Sequence, residues 1–101
     1  MIGVLLRFQF GGSLNPATIQ QIAGAAREKF VGLAGLRSKA FTYDRDNREA
    51  INFYLWESEA AAREFFTPAF VDRVAGVYGV QPAIQYLEVA ELVENPPAAG
   101  G

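Results

Sequence analysis

The chain has 101 residues, half of them apolar and 20% charged, with a formal net charge of −2; this fits one globular domain with a real core and gives no electrostatic footprint for nucleic acid or anionic lipid. Cysteine and histidine are both absent, which excludes disulfides, thiolate and Ser-His-Asp chemistry, zinc sites of the usual ligand types, and haem held through either residue. No apolar run is long enough to span a bilayer, and Met1–Phe10 lacks the basic start and small-residue cleavage site of a leader, so a cytoplasmic protein with no membrane partner is expected.

Residues 2–10 alternate, with Ile2, Val4, Leu6, Phe8 and Phe10 on one face and Leu5, Arg7 and Gln9 on the other, which predicts a strand. Gly11-Gly12-Ser13 breaks it. Asn15-Pro16 reads as an N-cap followed by Pro at the first helical position, and Ile19, Ile22, Ala23, Ala26 and Phe30 follow at helical spacing, so 16–31 is predicted helical. Gly32 and Gly35 mark its exit.

Residues 36–43 are predicted as a second strand with Arg37, Lys39, Phe41 and Tyr43 on one face, and the polar run 44–48 as a hairpin loop. The third strand, 49–57, places Ile51, Phe53 and Leu55 on one face and Asn52, Tyr54 and Trp56 on the other. Ser58 can cap a helix, and Thr67-Pro68 repeats the cap-then-Pro signal, which divides the next region into 59–66 and 68–77. Gly79 ends it, and 83–93 reads as a last, long strand. Residues 1–94 form one domain in this reading, and the Pro/Gly-rich 95–101 a flexible tail.

The order β-α-β-β-α-β predicts an α+β ferredoxin-like fold, a four-stranded antiparallel sheet with two helical segments on one face. Ile2, Val4, Leu6 and Phe8 are expected beneath the helices with Ile51, Phe53 and Leu55. Leu5, Phe41, Tyr43, Tyr54, Trp56, Leu87 and Val89 are expected on the far face. Such a patch in water marks an interaction surface, and a second copy of the chain is the economical cover. A homodimer is therefore expected, with a cavity between each sheet and its partner.

The runs Leu36-Arg-Ser-Lys39-Ala-Phe41-Thr42 and Phe53-Tyr54-Leu55-Trp56-Glu57-Ser58-Glu59-Ala60 resemble the YdhR-type monooxygenases, antibiotic-biosynthesis-monooxygenase relatives in the dimeric α/β-barrel superfamily. The resemblance spans about residues 2 to 94 in the same element order. It implies a homodimer of ferredoxin-like subunits and an enzyme that oxidises small aromatic or polyketide-like phenols with dioxygen and no cofactor. Better-known superfamily members use an Asn and a Trp four residues apart on the third strand, which here are Asn52 and Trp56. The chain departs from the YdhR pattern at Ile51-Asn52, where small residues are usual, and around Thr67-Pro68, which is longer.

Asn52 and Trp56 are thus the candidate catalytic residues. An amide on a strand interior could hold a substrate oxygen, and an indole could pack on an aromatic ring and donate one N–H. Tyr54, Arg7, Lys39, Phe41 and Arg73 are the candidate substrate-binding residues, the cations attracting a phenolate. Each also has a structural reading: Trp56 and Tyr54 as interface aromatics, Asn52 as a structural hydrogen-bonder, Arg7 and Lys39 as rim or ion-pair residues, Arg73 as part of a solvated helix face. No acid/base dyad is visible in the spacing of the carboxylates. The alternatives to oxygenation are an isomerase or cyclase on the same scaffold and a non-catalytic small-molecule-binding dimer. An RNA-binding sheet of the same topology would need a basic aromatic motif that the third strand lacks.

Overall fold

Ile2, Val4, Leu6 and Phe8 recur every second residue and are almost fully buried, so one side of β1 (Ile2–Gln9) forms the floor of the core. The computed structural model describes residues 1–96. After β1 come α1 (Pro16–Phe30), β2 (Leu36–Asp44), β3 (Glu49–Trp56), α2 (Glu59–Phe65), α3 (Pro68–Tyr78) and β4 (Ala83–Glu88). The sheet is antiparallel with strand order β2-β3-β1-β4, which is the ferredoxin-like plan with the second helical region broken in two.

The helix boundaries follow local chemistry. Asn15 accepts a hydrogen bond from the Ala17 N–H at 3.0 Å ahead of Pro16. Ser58 accepts from Ala61 N–H at 3.1 Å, and Thr67 from Phe70 N–H at 3.2 Å ahead of Pro68. Each cap satisfies an N–H that the first helical turn leaves without a partner. Gly79 closes α3 in the left-handed conformation, φ 82°.

The faces of β3 are the reverse of the expectation. Ile2 pairs with Trp56, Val4 with Tyr54, Leu6 with Asn52 and Phe8 with Ala50, so the Asn-Tyr-Trp face of β3 is continuous with the apolar face of β1 and lies beneath the helices. Ile51, Phe53 and Leu55 share the open face with Leu5 and Arg7. Aromatic packing accounts for the choice. Phe65 and Phe66 on the helical side meet Tyr54 and Trp56 in edge-to-face and tilted pairs, and Phe70 backs both of them, which small aliphatic side chains could not replace at the same spacing. On the open face Phe53 lies across Gly3, its ring 3.4 Å from where a Cβ would stand.

β2 departs from strict alternation. A bulge at Arg37 lets Leu36 pair with Trp56 while Lys39 pairs with Tyr54, so Leu36, Lys39, Phe41 and Tyr43 share the helix-covered side. Arg37 is expelled from the row expected for it and pairs with Glu94 at 3.3 Å. β4 ends at Glu88, not 93. Val89, Leu92 and Glu94 flank Leu55 and Phe53, so the chain leaves the sheet edge and crosses the open face, where Leu55 is only 4% exposed. Residues 97–101, most of the tail expected to be flexible, lie outside the described residues.

Two glycines separate conformational need from convenience. Gly35 has φ 82°, and a Cβ there would stand 3.0 Å from Ala61 Cβ on α2. Gly35→Ala should destabilise the fold by about 1–3 kcal/mol in urea unfolding. Gly76, exposed within α3 and with open space around it, should gain about 0.5–1 kcal/mol as Gly76→Ala.

Candidate active site

Inverting β3 moves its polar atoms from a subunit boundary into the interior. Asn52 is 2% exposed and Tyr54 1% exposed. Between them and the helices lies a cavity of about 110 Å³, lined by Asn52 and Tyr54 from β3, Lys39 and Phe41 from β2, residues of α1 around Phe30, and one side of α3 from Phe70 to Tyr78. Its walls are mainly apolar and aromatic, and Lys29 and Arg73 stand at its solvent side on exposed helix faces.

Lys39 is directly opposite Tyr54 in the ladder, and its Nζ donates to the Tyr54 hydroxyl at 2.9 Å. The ammonium also sits 3.4 Å from the Phe30 ring centre, 4.0 Å from Phe41 and 4.4 Å from Tyr54. Burial lowers its pKa from 10.5 to about 7. The ring faces attract the charged form, each by about 0.5–2 kcal/mol, and oppose burial without reversing it. Among the described residues no carboxylate forms an ion pair with Lys39.

Burial raises the Tyr54 hydroxyl well above its ordinary range, and the nearby Tyr78 adds to that shift. Burial also raises Tyr78, against the opposing effect of its hydrogen bond with Asn52. That bond runs from Asn52 Nδ2 to the Tyr78 hydroxyl at 3.3 Å, while the Phe8 ring stacks on Tyr78 at 3.9 Å. Asn52 Oδ1 is buried and has no hydrogen-bond partner among the described residues. A buried amide oxygen left without a donor is costly, and here it belongs to a residue that lines a cavity.

Five of the seven sequence-derived candidates meet at this cavity: Asn52, Tyr54, Lys39, Phe41 and Arg73. Trp56 does not line it. Its indole is stacked on Tyr54 at 6.2 Å and held by Phe65 and Phe66, with Nε1 buried and without a hydrogen-bond partner among the described residues. Arg7 is on the opposite side of the sheet, 3.8 Å from Glu49; it does not share a face with Lys39, because the β1–β3 register sends odd-numbered β1 residues outward. Sequence reasoning missed Tyr78 and Lys29. The signal for Tyr78 was its position four residues after Val74, on the apolar side of α3.

The buried amine sets a pH dependence of stability. Lys39 binds its proton more weakly folded than unfolded, so between about 7 and 10.5 the unfolded chain holds more protons and stability rises with pH. Below that window both states are protonated and the penalty is constant. Above pH 10 the raised tyrosines act in the opposite direction, because the folded state retains protons that the unfolded state loses. Thermal unfolding against pH should show the rise, and Lys39→Met should flatten it while raising stability at neutral pH.

No protein-family model and no curated protein matches the chain. Among solved structures it is similar to Rv0793 from Mycobacterium tuberculosis, at 18% identity and TM-score 0.64, covering 92% of this chain and 98% of that one. It is also similar to a monooxygenase from the gene ActVA-Orf6 of Streptomyces coelicolor in complex with Nanaomycin D, at 18% identity and TM-score 0.66, covering 94% and 92%. SnoaB, a cofactor-independent oxygenase from Streptomyces nogalater, matches at 15% identity and TM-score 0.64, covering 93% and 97%. Its structural neighbours are thus antibiotic-biosynthesis-monooxygenase-like proteins, and at these identities the likeness is one of fold.

Proposed function

We propose that the chain is a cofactor-independent monooxygenase that oxidises a small phenolic substrate with dioxygen. The observation that carries the reading is the aromatic-walled cavity where Asn52, Tyr54 and Lys39 supply the polar groups of an otherwise apolar enclosure. The YdhR-like strand motifs and the oxygenases among the structural neighbours support it. An apolar wall holds the ring, a polar end orients the oxygen, and exclusion of water protects the anion formed on ionisation. The volume of about 110 Å³ is below the roughly 150 Å³ of a cavity that takes up benzene, so no more than one ring of the substrate enters and the remainder extends toward Lys29 and Arg73.

In this mechanism the substrate hydroxyl faces Lys39 and Asn52. Loss of its proton leaves an electron-rich phenolate, which reduces dioxygen directly; one oxygen atom is retained on a ring carbon as a carbonyl, and the other leaves as water with the two hydrogens and the electrons that the substrate gives up. Asn52 donates to the substrate oxygen through the Nδ2 hydrogen that Tyr78 does not take, Phe41 and Phe30 wall the ring, and Trp56 acts from behind Tyr54 as a positioning residue. Arg73 attracts the anionic substrate at the opening.

The protein acts as a homodimer in this reading. The open face carries the half-buried Leu5, Ile51 and Phe53 and the exposed Leu87, an apolar set suited to a second copy. Sedimentation of the wild type should give a dimer, and Phe53→Glu a monomer that retains the cavity; a monomeric wild type would remove this part of the proposal.

Oxygen uptake with a panel of monocyclic and bicyclic phenols and hydroquinones, with product mass, tests the activity. The wild type should consume dioxygen and add one oxygen atom to its product. Asn52→Ala should lose roughly 10²–10³-fold in kcat, the scale of a lost oxyanion donor, whereas Trp56→Phe should lose roughly tenfold or less, because it acts through Tyr54. A product of unchanged mass would assign isomerase chemistry; no turnover across the panel would leave a binding protein.

A further inference from the structure

We infer that Lys39 is the general base of this site, taking the substrate proton on Nζ with Tyr54 as its positioning residue. The inference deepens the proposed function and rests on it for the identity of the substrate. Elimination within the cavity is its first support. The chain has no histidine or cysteine, and among the described residues no carboxylate lines the cavity. Asn52 does not accept a proton in water's range, the arginine at the opening stays protonated, Lys29 stands on the exposed helix face at the opening rather than at the polar end, and both tyrosines are held in the protonated form by burial.

Geometry is the second support. Nζ is fixed by the Tyr54 hydroxyl at 2.9 Å and enclosed by three ring faces, so the amine is already positioned at the polar end of the cavity. Lys39 also borders a second, shallower hollow between the end of α1 and the start of β2. The titratable and charged groups that line the two hollows with Lys39 are Tyr54 from β3, Lys29 and Arg27 from α1, Arg73 and Tyr78 from α3, and Arg37, which the bulge turns away toward Glu94. None is an acid that would hold the ammonium, and Arg27 and Arg37 are paired with Glu28 and Glu94. Burial lowers the affinity of Lys39 for protons to about pH 7.

The step balances without a further reagent. The Nζ lone pair forms a bond to the phenolic hydrogen, the O–H bond breaks, and its electron pair remains on the substrate oxygen. The resulting ammonium then faces the phenolate it has created. Nζ keeps an N–H on the Tyr54 oxygen in both protonation states, which leaves its single lone pair for the phenolic hydrogen while the amine is neutral.

Arginine separates a base from a fixed charge, because it is cationic and has no lone pair to offer. The probe is 4-hydroxyacetophenone, a single-ring phenol whose absorbance reports ionisation, and net proton exchange on binding is read by calorimetry in buffers of different ionisation enthalpy. At about pH 8 the wild type should bind the phenolate and take up on the order of one more proton per bound phenol than Lys39→Arg, since only the lysine starts neutral. Lys39→Met should bind the neutral phenol. Tyr54→Phe should keep the proton uptake but shift its pH midpoint, the mark of a positioning role. Equal proton exchange in the wild type and Lys39→Arg would overturn the base assignment. Oxygen uptake in parallel keeps the two readings apart. Lys39→Arg should lose roughly 10²–10⁴-fold in kcat/KM if the base drives oxygenation. Proton uptake without oxygen consumption would retain the base and refute the oxygenase, while oxygen consumption undiminished in Lys39→Arg would refute the base alone.

Discussion

Turning the Asn-Tyr-Trp face of β3 toward the helices is the constraint on which the rest of the structure depends. Three side chains with polar atoms enter a space otherwise filled by β1's aliphatic row and the phenylalanines of α1, α2 and α3. Each polar atom must then find a partner or lose hydration without return. Tyr54 finds Lys39 and Asn52 finds Tyr78. Lys39 must therefore come inside as well, and the bulge at Arg37 keeps its strand in the parity that brings it there with Leu36 still in the core. A cation buried among rings is the consequence, and the cavity is where these residues fail to fill space completely.

The same choice shapes the other side of the sheet. With the aromatic face inside, the open face receives the aliphatic and phenylalanine residues of β3, and the segment after β4 folds back over part of it. The Arg37–Glu94 pair fastens that segment near the bulge, though an exposed pair of this kind contributes at most about 1 kcal/mol. What stays uncovered is a narrower apolar strip than the residue pattern alone implied, centred on Phe53 where it lies across Gly3.

Much of this was legible in the residues. Element order, both cap-then-Pro signals and the break at Thr67-Pro68 rest on local chemistry, which acts over a few residues and is carried by the string itself. Which face of β3 turns inward does not. Alternation defines two faces within a strand, but matching them across strands depends on register, and a strand apolar on both sides offers no local preference. Ile51-Phe53-Leu55 looked the better core by hydropathy, whereas the phenylalanines of the helices selected Tyr54 and Trp56 by shape. The bulge at Arg37 and the bond between Asn52 and Tyr78, 26 residues apart, are likewise products of tertiary packing. Asn52, Tyr54, Phe41, Lys39 and Arg73 meet in one cavity, while Arg7, a phenolate-attracting candidate on the same ground as Lys39, is sent to the other face by the β1–β3 register.

The central claim is that a phenol ring enters beneath the helices and presents its oxygen to Lys39 and Asn52. A crystal structure with 4-hydroxyacetophenone bound tests it most directly. The ring should lie between Phe30, Phe41 and α3, with its phenolic oxygen within hydrogen-bond distance of Lys39 Nζ. A ligand seated instead on the open face against Phe53, with the interior cavity unchanged, would contradict the account.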